Sequence, residues 1–224
     1  MRTDHLLAHV ARVAASAVAY VALPGAYAAL AAVGLFLAGF SFAHDLAHGA
    51  LGLPARTNRL LLALAGATML TSGHGMRVAH LRLHAAPLAD DDFEGAAARG
   101  ALFRALLLAP YFAFAVRREA WRRASRLDRR WQLGEHVASL VLALLVVGRT
   151  YALVAFALQL LAPVWAGRIP HTAPRWIIRC ARAFAWTRSV TVLSLAFHDA
   201  HHEHPKVPTL SLASLRSEAG CKQL

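Results

Sequence analysis

Histidine is the residue type in this sequence best suited to do chemistry, because 13 of the 224 residues are histidines and eight of these fall in three short clusters. Each cluster contains a pair spaced i, i+4, which places both imidazoles on one face of a helix. The pairs are His44 and His48, His80 and His84, and His198 and His202. His201 and His204 add two further imidazoles to the last cluster. Imidazole nitrogens bind Fe, Zn, Cu and Ni, so the three clusters together predict a metal site.

The size of this histidine set favours a two-metal site over a structural zinc site. Structural zinc is usually enclosed by four ligands, whereas the clusters offer a larger number of imidazoles. Cys180 and Cys221 are too few for a thiolate cluster and provide no disulfide framework. We therefore expect two metal ions with coordination positions left open for oxygen.

Acidic residues lie beside the clusters and suggest partners for the metal ligands. Asp45 and Asp199 each follow the first histidine of a cluster. A ligating imidazole commonly donates its free N–H to a carboxylate, which fixes the tautomer, although plain solvation of these two residues is the alternative. The acidic run from Asp90 to Glu94 has the same two interpretations, and we favour a surface patch that faces arginines.

The remaining histidines have weaker sequence contexts. His171 lies at the predicted cytoplasmic mouth of the last apolar segment and is a further candidate ligand. Pro205 ends any helix that carries the third cluster, so we expect His204 just outside the ligand set. The other histidines are assigned to the membrane interface (His5 and His9), to a loop (His74) and to the headgroup level beside Glu135 (His136).

Composition places the histidines in a membrane protein. The chain is 58% hydrophobic and only 16% charged, with a mean hydropathy of +0.45, which excludes a disordered chain and an ordinary soluble domain. The net charge of +12 is compatible with nucleic-acid binding, but the apolar content indicates basic cytoplasmic segments of a membrane protein instead. We therefore expect no nucleic-acid partner.

Apolar segments predict an all-α integral membrane fold with four transmembrane helices in two hairpins. The predicted spans are Leu6–Leu23 and Gly25–Ala43, separated by Pro24-Gly25, and then Leu133–Val147 and Tyr151–Ala166. Two shorter apolar runs, Leu60–Leu70 and Ala101–Val116, are expected to lie in the interface or to dip into the membrane and return.

Arginine distribution orients these spans. Seven arginines fall between Arg117 and Arg130, and a second basic group follows the last hairpin. Short basic segments stay cytoplasmic, which predicts that both termini and a cap carrying the histidine clusters are cytoplasmic. We expect one domain over residues 1–224, with a C-terminal tail that frays from about residue 211. The bias towards Ala, Leu and Arg indicates a high-GC bacterial genome and therefore a bacterial inner membrane.

The clusters resemble the three histidine boxes of the membrane fatty acid desaturase superfamily, the integral di-iron proteins with boxes of roughly HxxxH, HxxHH and HxxHH. The segments AHDLAHG and FHDAHHEHPKVP are also similar to the carotenoid ketolase, carotenoid hydroxylase and small bacterial desaturase branches, and the resemblance spans roughly residues 25–212. It implies two non-haem iron ions and the ligands His44, His48, His80, His84, His171, His198, His201 and His202. Leu83 departs from the family pattern, because the second box usually has a histidine there.

The resemblance implies an oxidoreductase that uses O2 to desaturate or hydroxylate a lipid acyl chain. The sequence has no iron–sulfur cysteine motif and no dinucleotide fingerprint, so the electrons are expected from an external donor such as a ferredoxin. The arginines from Arg117 to Arg130 either dock that donor or bind anionic lipids.

Several alternatives to an acyl-chain oxidase stay open. The nearest is a carotenoid hydroxylase or ketolase, and the next is a non-catalytic desaturase-like protein whose iron site is incomplete because of Leu83. A dihaem membrane cytochrome and a metal transporter are less favoured. A cytochrome needs histidine pairs on facing spans, and a transporter needs ionisable residues within the spans.

Overall fold

The computed structural model describes residues 2–89 and 92–215, and the regular secondary structure within these ranges is entirely helical. The all-α class is thereby confirmed for the described residues. The α-helices are α1 (Arg2–Ala22), α2 (Gly25–Ala47), α3 (Ala55–Thr68), α4 (Gly73–Ala85), α5 (Leu102–Arg123), α6 (Arg126–Leu145), α7 (Gly148–Leu160), α8 (Ile169–Thr172), α9 (Arg175–Ala183), α10 (Val190–Ala196) and α11 (His198–Glu203). Short 3₁₀ turns cover Ala96–Arg99, Ala185–Thr187 and Thr209–Ser211, and a π-helical turn covers Pro163–Arg168.

The first predicted hairpin is formed by α1 and α2, which pack against each other. Pro24 precedes α2, and Gly25 adopts a left-handed φ of +54° that reverses the chain. Helix α2 continues beyond the predicted end of its apolar segment, because the next helix-ending residue is Gly49, at φ +65°. His44 is therefore part of the last turn of α2, and the first histidine cluster is fixed to the end of an apolar helix.

Two helices of the described residues are long and apolar enough to cross a membrane, namely Thr3–Ala22 and Gly25–Ala47. A third span arises if α7 and the segment Pro163–Thr172 act as one span that is bent by 47°. Helix α6 is not among these candidates within the described chain. Its first half carries several arginines as well as the buried Glu135, so its uninterrupted apolar part is short. The four-span topology therefore stays a prediction.

The main core surrounds α2, which contacts α1, α3, α4 and α7. Its fully buried side chains include Phe36, Leu46, Leu62, Met69 and Tyr151. These residues immobilise the end of α2 that carries the first cluster. Removing such contacts is costly, because buried side chains in protein interiors are close-packed.

A second core joins α10 to the chain that follows α11. It contains Val190, Leu193, Phe197, Leu210 and Leu212. Leu212 is fully buried, contrary to the expectation that the tail frays from about residue 211. The rest of that predicted tail, residues 216–224 with Cys221, lies outside the described residues.

Helices α3 and α4 approach each other closely at two glycines. A Cβ atom built on Gly66 would meet the backbone nitrogen of Gly73 and lie 2.8 Å from the backbone oxygen of Thr71. Backbone atoms cannot swing away as a flexible side chain does, so this approach requires glycine. The tight α3–α4 packing fixes the start of the helix that carries the second histidine cluster.

The substitution Gly66→Ala should therefore lower the thermal unfolding temperature of the detergent-purified protein, since overpacking costs about 1–3 kcal/mol. The matched control is Gly134→Ala, because Gly134 is an exposed glycine within α6 with nothing within 4 Å of a built Cβ. Alanine is the better helix former, so this control should unfold at the same or a higher temperature. Equal unfolding temperatures for Gly66→Ala and the native chain would contradict the close approach.

Candidate metal centre

Four separate helices bring the histidine clusters to one place. The end of α2 supplies His44 and His48, and α4 supplies the second cluster. The third cluster lies on α11, and His171 lies on α8. The eight histidines expected to bind metal come from distant parts of the sequence, and the fold brings them together. They are His44, His48, His80, His84, His171, His198, His201 and His202. Their role as metal ligands stays a prediction.

The first histidine group consists of His44, His48, His80 and His201. One ring nitrogen from each lies within 4.8 Å of the corresponding nitrogens of the others. The His44 ring centroid is 4.4 Å from that of His201 and 4.8 Å from that of His80. His80 and His201 are buried, so this group lies on the inner side of the cluster.

The second histidine group consists of His171, His198 and His202, whose ring nitrogens also lie within 4.8 Å of one another. His198 Nε2 is 3.2 Å from His171 Nε2 and 3.1 Å from His202 Nε2. His84 lies between the two groups, because its Nε2 is 3.1 Å from His201 Nε2 and its ring stacks on His202 at 4.2 Å. The arrangement is therefore two adjacent nitrogen clusters that share one neighbour.

The positions of the imidazole nitrogens suit metal binding better than hydrogen bonding between the imidazoles. Two imidazole nitrogens bound at about 2.1 Å to one ion lie roughly 3.0–3.4 Å apart, which matches the Nε2–Nε2 separations around His198 and His84. Within the described chain, His48 Nε2 and His80 Nε2 are buried and have no hydrogen-bond partner. A buried polar atom without a partner is costly, and a metal ion would satisfy both.

The protonation state of the clustered histidines also favours metal binding. Burial, followed by the proximity of the other imidazoles, lowers the pKa of His48, His84 and His198 to about 2. The same causes lower the pKa of His80 and His201. These imidazoles are neutral at physiological pH, and neutral imidazole is the form that binds metal.

Asp45 lies at the centre of a buried network behind His44. Its Oδ1 is 3.4 Å from His44 Nδ1, a long hydrogen bond, and its Oδ2 is 3.1 Å from His9 Nε2. Thr209 donates from its hydroxyl to Oδ1 at 2.6 Å and from its backbone N–H. The predicted proximity of Asp45 to the candidate ligand His44 is thus observed. His9 was expected at the membrane interface, but it is buried in this network.

Glu94 is the second carboxylate at the cluster, and the prediction of a surface patch is wrong for this residue. Its Oε1 accepts a hydrogen bond from His80 Nδ1 at 3.1 Å, on the side of the ring opposite Nε2. Asp92 is also buried and accepts hydrogen bonds from the backbone N–H groups of Leu88, Glu94 and Gly95. Asp92 therefore shapes the turn that presents Glu94. Asp90 and Asp91 lie outside the described residues.

Asp199 is exposed, and no hydrogen bond in the described part of the chain joins it to a histidine, so solvation, the alternative interpretation, describes it. Leu83 is 2% exposed and faces the protein interior, so the second box provides two imidazoles. His171 joins the second histidine group from a different helix.

Histidines outside the set form other contacts. His74 is part of α4 rather than a loop. It is fully buried, its Nδ1 lies 2.7 Å from Glu135 Oε1, and its ring stacks on Trp131. Glu135 is therefore buried together with His74. His204 follows α11, is exposed and belongs to neither histidine group, in agreement with its expected place outside the set.

Comparison with known proteins gives one family match. The family model described as fatty acid desaturase matches residues 19–222, which is most of the chain. Searches of curated proteins and of solved structures found no match.

The two histidine groups predict two separable metal sites. Anaerobic loading of the detergent-purified protein with Fe(II), followed by elemental analysis, should give about two ions per chain. His48→Ala removes a ligand of the first group only and His171→Ala one of the second group only, so each should reduce the content to about one ion. His204→Ala is the matched control and should leave the content unchanged; an equal loss in this control, or a full content in both other variants, would contradict the assignment.

Glu94→Gln should weaken metal binding while leaving every imidazole in place. The carboxylate holds the Nδ1–H of His80, and loss of such a partner typically costs about 10- to 100-fold in metal affinity. Competition with a chelator of known affinity measures this change. Asp199→Asn removes one negative charge from an exposed position beside the same cluster, and we expect it to retain native affinity. Comparable losses in both variants would show that net charge, and not the contact of Glu94 with His80, determines the metal affinity.

Proposed function

The chain belongs to the fatty acid desaturase family, and on that premise we propose that it is a membrane non-haem di-iron oxidase that acts on a lipid acyl chain. Family membership supports oxidoreductase activity in general. The observation that carries the finer proposal is the convergence of two adjacent histidine groups with His84 between them. Such a set suits two ions that act together on one small molecule.

The proposed reaction is balanced by an external reductant. Desaturation removes two electrons and two protons from adjacent methylene groups, and two further electrons and protons from outside complete the reduction of O2 to two waters. Hydroxylation uses the same inputs, with one oxygen atom entering the product and the other leaving as water. Iron supplies the O2-activating chemistry needed to break an unactivated C–H bond.

The side chains of the protein hold and isolate this chemistry. The eight histidines would bind the two ions through neutral nitrogens. Asp45 and Glu94 keep His44 and His80 oriented through their other ring nitrogens. Phe40 and Trp165 pack edge to face near His44, with the Phe40 ring centroid 6.2 Å from that of His44. These aromatic side chains exclude water and offer an apolar surface to an acyl chain.

The electron donor is proposed to be a separate acidic carrier such as a ferredoxin. Its docking surface would be the basic connection between α5 and α6, where Arg118, Arg122, Arg126 and Arg130 are exposed. Complementary charge accelerates such an encounter. Binding of anionic lipid headgroups by the same arginines is the competing role.

We further propose that the protein crosses a bacterial inner membrane four times, with both termini and the histidine groups on the cytoplasmic side. The two apolar helices of the first hairpin and the bent α7 segment support this arrangement. The crossing by α6 rests on its pairing with α7 and on the cytoplasmic retention of the arginines at its start.

Lipid analysis of a bacterial host tests the activity. Expression of the native chain should produce acyl chains with a new double bond or hydroxyl group, detected by mass spectrometry. His201→Ala, which removes a buried member of the first histidine group, should abolish the product, because the ion it holds would be lost or displaced. His204→Ala should retain the product.

Different failures of this experiment have different meanings. A ring-oxygenated carotenoid with unchanged acyl chains would show that the substrate is a carotenoid rather than an acyl chain. Iron content near zero, together with no product, would favour a non-catalytic protein whose site is incomplete because of Leu83.

A further inference from the structure

An apolar cavity of about 310 Å³ lies beside the metal centre. Its walls include Phe36, Phe40, Met76 and Trp165, and Glu94 lines it as well. Because Glu94 also contacts His80, this residue connects the cavity to the histidine groups, none of whose members lines the cavity. Its volume is at the lower end of the range for ligand pockets, which suits one aliphatic chain.

Two arginines interrupt the apolar lining of this cavity, and of these only Arg117 is partly buried. Arg117 projects from α5, and its guanidinium donates to the backbone oxygen of Ala113 at 2.9 Å and to Gln159 Oε1 at 2.6 Å. Among the described residues, no carboxylate lies within ion-pair distance of Arg117. Burial lowers the pKa of Arg117, yet an arginine side chain stays charged in proteins. The protein therefore retains a partly buried positive charge that no carboxylate neutralises.

A buried charge without a counter-ion is costly, and most arginines of this chain avoid that cost by lying at the surface. Arg122 directly follows the cavity-lining Trp121 on the same helix, but it is exposed and does not line the cavity. Arg117 is held in place by two hydrogen bonds to neutral acceptors, which use two of the five guanidinium N–H donors. Its remaining donors are available to an anionic ligand.

We propose that Arg117 binds the free carboxylate of a long-chain aliphatic acid whose chain occupies this cavity. The inference rests on the proposed function, because it names the form in which the acyl chain reaches the metal centre. It predicts that the free acid is bound in preference to esters of the same chain.

The charges in the cavity support this orientation. Glu94 marks the part of the cavity next to the histidine groups and offers no positive charge to a carboxylate. Arg117 attracts one, so an acid would place its head at Arg117 and direct its chain towards Glu94 and the metal centre. A guanidinium also matches a carboxylate geometrically, since two parallel N–H groups meet two oxygens.

The size of the cavity argues against bulkier anions. A phospholipid carries two chains and a large headgroup, which exceed a cavity of about 310 Å³. Arg118 also lines the cavity but is exposed, so the entrance is basic while the interior offers one partly buried arginine. One guanidinium suits a single carboxylate.

A displacement experiment on the full-length, detergent-purified protein tests this inference without turnover. The tracer is a radiolabelled methyl ester of a long-chain fatty acid, and the competitors are the unlabelled ester, the free acid and the alkyl phosphate of equal chain length. For the native chain, the acid should displace the tracer at a concentration roughly 10- to 100-fold lower than the ester, the range that a charged hydrogen bond contributes. Arg117→Gln should reduce the acid to the level of the ester while displacement by the ester is unchanged, which shows an intact cavity.

Arg122→Gln is the matched control, because it removes the same charge from the same helix outside the cavity, and it should retain the preference for the acid. The inference is overturned if the native chain does not distinguish acid from ester, if Arg117→Gln keeps the preference, if Arg122→Gln loses it equally, or if the alkyl phosphate displaces the tracer better than the acid. Acid-selective binding without any oxidised product would contradict the proposed oxidase and leave the role of Arg117 standing. Oxidised product without a preference for the acid would support the proposed oxidase and contradict the role of Arg117.

Discussion

The structure depends on a single physical constraint, namely that eight imidazoles are packed together in a largely apolar protein with too few protein partners for their nitrogens. His48 Nε2 and His80 Nε2 have no hydrogen-bond partner within the described chain, and each is too costly to leave unsatisfied. Metal ions would satisfy this requirement without adding side chains. The low pKa values of the imidazoles and the short nitrogen–nitrogen separations follow from the same packing.

Helical geometry provides part of this convergence, and buried polar contacts provide the rest. An i, i+4 pair brings two imidazoles together on any helix, so each cluster is organised locally. The clusters meet because their helices are tied to one another. Asp45 connects α2 to α1 through His9 and to the chain after α11 through Thr209. Glu94 connects the turn before α5 to His80 on α4.

The difference between local helical spacing and long-range polar contacts explains what the sequence can and cannot predict. The helical class, the first hairpin and the three histidine pairs depend on local spacing and composition, and the sequence was sufficient for them. The sequence does not identify the role of Glu94, because an acidic run looks the same whether it faces solvent or a buried imidazole. Only the turn made by Asp92 distinguishes the two. His9 and His74 were misplaced for a similar reason, since their carboxylate partners are far away in the sequence.

The short helix α11 has the largest influence on the relation between the two histidine groups, because it contributes His201 to the first and His198 and His202 to the second. Six residues cannot hold such a geometry alone, since isolated short helices are marginal in water. Its position comes from the second core, where Phe197 and Leu212 are buried, and from the bonds between Thr209 and Asp45. The packing of the chain after the third cluster therefore sets the separation of the two groups, although no residue in it is a candidate ligand.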